Sequence, residues 1–211
     1  MPDTLTAPPP AQLIRNEPMQ ARSTARLAAL LDAAAAVVAD IGYERLTTAM
    51  VAEGAGASIG TVYRYFPDRI AVLQSLAARN EDRITAKALE VIDDPAHTDW
   101  KSALAASLDV FIEFHRVEPG FTSLRLGDVV DLRPAEGEPR NSVMADNLYS
   151  ALVARFDLAD TAEMRAGFEA AFIAADALVT RAFARDPQGD EARLATAKAA
   201  AAAIMSAVLP E

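Results

Sequence analysis

The 211-residue chain contains no cysteine, which excludes a disulfide framework, a thiolate nucleophile and any cysteine-ligated metal. A chain of that kind suits a reducing cytoplasm, and a cytoplasmic location is the expectation. Histidine is almost as scarce. His97 and His115 have no carboxylates at metal-ligand spacing, and neither a G-x-S-x-G elbow nor a P-loop occurs. No catalytic residue, metal or cofactor is therefore expected, and an enzyme is not the reading. Long apolar runs are also missing: no uncharged stretch approaches the ~18 residues that span a bilayer. The opening MPDTLTAPPP lacks the positive-then-apolar pattern of a secretion signal. Aromatics amount to 6%, and the β-branched residues are spread at helical spacings. That leaves an all-α protein, rich in alanine, with room for one large domain or for a small one joined to a medium one.

Positive charge is the remaining shortage. Twenty Lys and Arg face 30 Asp and Glu, for a net charge of −10, which at first argues against a nucleic-acid partner. The distribution reverses that argument. Through residue 70 there are six basic residues (Arg15, Arg22, Arg26, Arg45, Arg64, Arg69) and seven acidic ones, net −1; the remaining 14 basic and 23 acidic residues give −9. One part of the chain is thus spared the acidity of the rest.

Residues 1–19 hold five prolines without helical period and read as a flexible arm. Apolar spacing then predicts a helix over about 21–41, stopped by Gly42, and a short helix begun by Thr47 or Thr48. Ser58 is the expected N-cap of a third helix ending at Phe66, and Pro67 and Asp68 open a fourth running to about Ile92. Further helices are expected at about 99–117, near 119–126, and at about 140–156, 160–185 and 189–208, with a loop over 131–140. The division expected is a helix-turn-helix domain over 20–67 and a larger domain over 68–211.

The stretch EGAGASIGTVYRYF, residues 53–66, carries Gly54, Gly56 and Gly60. A dinucleotide fingerprint needs G-x-G-x-x-G directly after a strand; here the last interval is one residue too long and the preceding TTAMVAE is helical. A glycine in the corner of two steeply crossed helices explains the stretch better. At 100° per residue Val62 and Phe66 share one face with Ile59 beside them. Gly60, Thr61, Arg64 and Tyr65 are then expected on the opposite face. Arg64 is suited to a bidentate pair with guanine and the Thr61 methyl to a thymine methyl, with the hydroxyls of Thr61, Tyr63 and Tyr65 free for phosphates.

Residues 47–73, TTAMVAEGAGASIGTVYRYFPDRIAVL, resemble the DNA-binding segment of TetR-family transcriptional regulators through Thr47, Val51, Ala52, Ala55, Gly56, Ser58, Gly60, Thr61, Tyr63, Tyr65, Phe66, Arg69 and Leu73. The resemblance extends loosely over the first helix and ends near residue 80. It implies an N-terminal three-helix DNA-binding domain followed by a larger helical ligand-binding and dimerisation domain. It also implies that Thr48, Ser58, Tyr63, Tyr65 and Arg69 hold phosphates while Ile59, Thr61 and Arg64 meet bases, with Gly60 allowing close approach. The chain departs from the pattern at Ala57, where valine is usual, at Met50, where an acid is frequent, and at the apolar Ile59.

The expected partners are double-stranded DNA, an apolar or amphipathic small-molecule effector, and a second copy of the chain docked through the last two alanine-rich helices. Candidate effector-binding residues are Trp100, Leu104, Leu108, Phe111, His115, Phe121, Leu124, Met144, Leu148, Tyr149, Phe168, Phe172 and Asp176. Set against each is its ordinary role as core, and for His115 and Asp176 a structural hydrogen bond. The reading is a ligand-responsive repressor on a palindromic operator. Its rivals are a sequestering or partner-binding helical protein and an all-α catalyst using His115 and Asp176.

Overall fold

A computed structural model describes residues 21–124 and 140–209. Among these residues there is no strand. The order is α1 (Ala21–Ile41), a 3-10 turn (Tyr43–Arg45), α2 (Thr48–Gly54), α3 (Ile59–Tyr65), α4 (Arg69–Asp93), α5 (Trp100–Val117), α6 (Arg140–Phe156), α7 (Ala162–Phe183) and α8 (Glu191–Val208). The expected arm over 1–19 and almost all of the expected 131–140 loop lie outside the described residues.

Helix starts follow from side-chain caps, each of which occupies one of the four amide hydrogens a first turn leaves unbonded. Thr47 Oγ1 accepts from Met50 N at 3.2 Å and Ser58 Oγ from Thr61 N at 3.2 Å. Asp68 Oδ1 accepts from Ala71 N, Asp99 Oδ1 from Ser102 N and Asp190 Oδ1 from Arg193 N, all at 2.9 Å. Thr161 Oγ1 accepts from Met164 N at 3.1 Å. α1 ends where Gly42 takes φ 82°, a left-handed conformation that costs glycine nothing.

Of the short helix expected near 119–126, residues 125 and 126 lie outside the described residues. Its described residues form only a turn, with Leu124 N donating to Gly120 O at 3.0 Å. Gly120 sits at φ 74°, and a Cβ there would meet Val38 Cγ1 at 3.0 Å and Ala35 O at 3.1 Å. The left-handed residue breaks the helical path, and its bareness lets the turn press on α1.

The described residues fall into two compact units that divide within α4, between Glu81 and Asp82. The expected boundary at 67/68 falls instead just before α4. The first unit holds α1 to α3, α4 through Glu81, and the turn from Pro119 to Leu124. Its core joins Leu30, Leu31, Ala34 and Val38 of α1, Val51 and Ala52 of α2, Val62 and Tyr65 of α3, Phe66, and Val72, Leu73 and Leu76 of α4; Leu124 closes it. Each buried Leu or Val is worth roughly 1.5–3 kcal/mol, so this small unit needs no metal or disulfide to explain its cohesion.

The second unit comprises α4 from Asp82, then α5, α6, α7 and α8. α7 and α8 are antiparallel: near the start of α7, a Cβ on Gly167 would meet the Val208 side chain at 2.6 Å. At the other end, one on Gly189 would meet both Leu194 and Phe183 at 2.9 Å. Beside them Ile112, Val179, Ala182, Phe183, Leu194 and Ala197 form a separate apolar cluster.

Candidate nucleic-acid interface and apolar cavity

α2, the Gly54 to Ala57 corner and α3 form the helix-turn-helix of the first unit. Gly56 turns the chain at φ 56°, and a Cβ on Gly54 would stand 3.1 Å from Ala33 Cβ, so α2 packs closely on α1. Ala57 N then donates to Ala52 O at 2.8 Å, locking the corner to the helix before it.

Val62 is fully buried, as is Phe66 just beyond the helix. On the other side Ile59, Gly60, Tyr63 and Arg64 are exposed, with Ile59 at 43% and Tyr63 at 46%. Ile59, expected beside the core, opens the helix directly after its cap and lies outside the core cluster. Thr61 is half-buried, and its hydroxyl is hydrogen-bonded to Ser58 Oγ at 2.9 Å. Thr48 Oγ1 donates to the Tyr63 hydroxyl at 3.3 Å, tying α2 to α3 on the exposed side. Arg69 Nη1 donates to Glu44 O at 3.1 Å, which holds its guanidinium beside the 3-10 turn. Arg22 and Arg26 of α1 are exposed, whereas Arg15 lies outside the described residues.

Tyr65 departs from the expected outer face. It is only 5% exposed, and its hydroxyl is hydrogen-bonded to Ser23 Oγ at 2.9 Å and donates to Ser23 O at 3.4 Å. The reason is the helical repeat: Tyr65 is three residues after Val62, and residues three apart are neighbours on one face. Met50, by contrast, is 38% exposed on α2.

The second unit contains a cavity of about 50 Å³ of free volume, or about 560 Å³ when all atom-free space out to its open mouth is included. Of the thirteen candidate effector-binding residues, Leu104, Leu108, Phe111, Met144, Leu148, Phe168, Phe172 and Asp176 line it. Five do not. Phe121 and Leu124 belong to the first unit, and Leu124 is part of its core. His115, also on α5, is buried but not in the lining, stacked on Phe183 at 4.7 Å and edge-on to Phe111 at 5.1 Å. Tyr149 is buried, and its hydroxyl donates to Asp160 Oδ1 at 2.7 Å; burial first, then that hydrogen bond, pushes its pKa above the ordinary value. Trp100, the first residue of α5, is half-buried beside Lys101, whose ammonium lies 5.4 Å from its ring centre.

The wall also includes Ile84 and Ala88 of α4, Ser107 of α5, Ala171 and Ala175 of α7 and Ala201 of α8, none singled out from sequence. Ile84 and Ala88 stand at i and i+4, a legible signal. The alanines carried none, because alanine occurs on every face of α7 and α8. Ser107 donates its hydroxyl to Leu104 O at 2.8 Å. Asp176 is the single formally charged residue of this lining. Among the described residues no group of His, Asp and Glu is arranged to hold a metal. No described helix is long and apolar enough to cross a membrane.

Residues 98–209 match the tetracyclin repressor-like C-terminal domain, and residues 30–76 match the bacterial regulatory proteins of the tetR family. The chain belongs to the TetR family of transcriptional regulators, a family of regulators rather than of enzymes. A TetR-family transcriptional regulator from Streptomyces coelicolor superposes with a TM-score of 0.75 at 29% identity, over 89% of this chain and 99% of that one. The nucleoid occlusion factor SlmA of Haemophilus ducreyi is 32% identical over 109 residues, 51% of this chain and 52% of that protein. The HTH-type transcriptional repressor KstR of Mycolicibacterium smegmatis is 43% identical over 58 residues, 28% of each chain. The chain thus aligns with about half the length of SlmA and little more than a quarter of KstR.

Proposed function

We propose that this regulator is a ligand-responsive repressor that binds a palindromic operator as a homodimer. The observation that carries the DNA reading is α3: Val62 and Tyr65 anchor its inner side, and Ile59, Gly60, Tyr63 and Arg64 stand outward from its first turn to its end. In a helix-turn-helix the second helix enters the major groove with its N-terminal residues on base edges. Arg64 reads guanine, and Thr48, Ser58, Tyr63 and Arg69 hold phosphates around it. Tyr65, buried and bonded to Ser23, packs α3 against α1 rather than touching a phosphate. The repressor assignment is supported by the named activity of KstR over the matching head.

The dimer is supported by two exposed stripes of small side chains. Ala166, Ala170, Ile173 and Ala177 line up on α7, with Ile173 59% exposed, and Ala192, Ala195, Ala199 and Ala203 on α8. Such faces let helices of two subunits approach closely in a four-helix packing. The effector reading is supported by the cavity, whose lining is apolar but for Ser107 and Asp176. An apolar or amphipathic compound that binds better to the non-operator form releases the DNA.

The test is selection of duplexes from a random pool, followed by titration over a salt series. A palindromic site whose affinity falls steeply with salt is expected, because phosphate contacts release counterions. Binding indifferent to sequence and to salt would instead favour the sequestering or partner-binding reading.

A further inference from the structure

Ile59 is hard to account for as a surface residue. It is the first residue of α3, directly after the Ser58 cap, and 43% of it is in contact with solvent. Its surroundings are low in relief. A Cβ added to Gly60 would meet nothing nearer than Ser58 Oγ at 3.8 Å. The Ser58 and Thr61 hydroxyls are bonded to each other, so the first turn of α3 presents an aliphatic side chain flanked by locally engaged hydroxyls.

We infer that Ile59 is a specificity-determining residue that reads the C5-methyl group of a thymine in each operator half-site. The inference rests on the DNA-binding reading above and deepens it. Base edges in the major groove present hydrogen-bond donors and acceptors at every position, and the thymine methyl is the single apolar group among them. Placed over any other edge, Ile59 displaces water from a donor or acceptor and returns no hydrogen bond. Placed over thymine, it removes apolar surface of both partners from water. Gly60 beside it leaves the helix backbone free to approach the groove floor, which a contact as short-ranged as a methyl against an isoleucine requires.

The experiment uses the full chain and the duplex selected from a random pool. Each thymine is replaced in turn by deoxyuridine, which removes the methyl and leaves pairing and hydrogen bonding unchanged. Affinity is read by fluorescence anisotropy. One position in each half-site is expected to lose about fourfold on replacement, the equivalent of one buried methyl group. Replacement in both half-sites is expected to lose about fifteenfold. The Ile59→Ala protein, checked for an unchanged thermal transition, is expected to bind thymine and deoxyuridine operators equally, and Ile59→Val to retain part of the difference. Specific, salt-dependent binding with no thymine sensitive to replacement overturns the inference while leaving the regulator reading intact. Sensitivity that persists in Ile59→Ala overturns it too, because another side chain then reads the methyl. Absence of any sequence-specific duplex removes both.

Discussion

Tyr63 and Tyr65 lie on one short helix in opposite surroundings, and their hydroxyls carry different consequences. Tyr65→Phe deletes a hydroxyl bonded to Ser23 inside the first unit. It is expected to cost about 1 kcal/mol of stability, the net worth of such a bond, with operator affinity little changed. Tyr63→Phe removes an exposed hydroxyl and is expected to leave stability within about 0.5 kcal/mol. It weakens all duplexes alike, as loss of a phosphate contact does. Urea melts and anisotropy on matched and scrambled duplexes separate the two. Arg64→Ala is expected to lose about 1–3 kcal/mol on the selected operator and to relax preference at one base pair; an unaltered preference removes it from the reading role. Tyr149 gives a pH dependence. Burial, and less so the bond to Asp160, raises its pKa above 10.0. As pH rises past 10.0 the unfolded chain loses this proton first. Stability therefore falls from there through the folded-state pKa and is complete below 10.0. Tyr149→Phe is expected to shallow that alkaline decline in melts on either side of pH 10.0.

At the level of helices, Gly167 on α7 sets two effects against each other. A Cβ there would stand 2.6 and 2.9 Å from the two methyls of Val208 on α8, and a β-branched side chain has little rotamer freedom to yield. Glycine to alanine inside a helix otherwise gains about 1 kcal/mol, whereas overpacking costs about 1–3 kcal/mol. Gly167→Ala is therefore expected to destabilise by about 1 kcal/mol in the native background and to stabilise once Val208→Ala has made room, a sign change that chemical denaturation reads directly. The helices themselves were legible because apolar period and caps agree: Gly42 ends α1, and Thr47 and Ser58 open α2 and α3. Two kinds of feature were not. The inward facing of Tyr65 is not one of them, since at 100° per residue it lies about 60° from Val62, and its expected outer position ran against that step. Alanines on α7 and α8 serve the cavity wall, the inner packing and the exposed stripes alike, so composition carries no direction there. The turn at Gly120 was hidden because a left-handed glycine looks, in sequence, like an ordinary helix end.

For the molecule as a whole, the proposed pairing is tested on the exposed alanine stripes and the proposed effector response on the cavity. Ala199 is exposed at the middle of the α8 stripe, so Ala199→Glu is expected to leave each chain folded. It brings like charges together across a two-fold contact, where they are destabilising. A fall in mass by sedimentation, with loss of the palindromic site's affinity, is the expected result; a dimer of undiminished strength places the interface elsewhere. α4 contributes Leu73 and Leu76 to the first unit's core and Ile84 and Ala88 to the cavity wall of the second. Leu108 is half-buried in that wall, and Leu108→Trp replaces free volume with an indole. Consider an apolar compound that raises the melting temperature of the native protein, as any ligand of the folded state must. If it lowers operator affinity by some factor, the operator must lower its affinity by the same factor, because both are one coupling free energy. In Leu108→Trp the compound is expected neither to bind nor to release DNA, while the operator's own affinity stays native. Isothermal titration with and without operator tests this. Retained release in the filled variant would place the effector outside the cavity. Unequal factors in the native protein would mean that the binding measured and the DNA release measured belong to different sites.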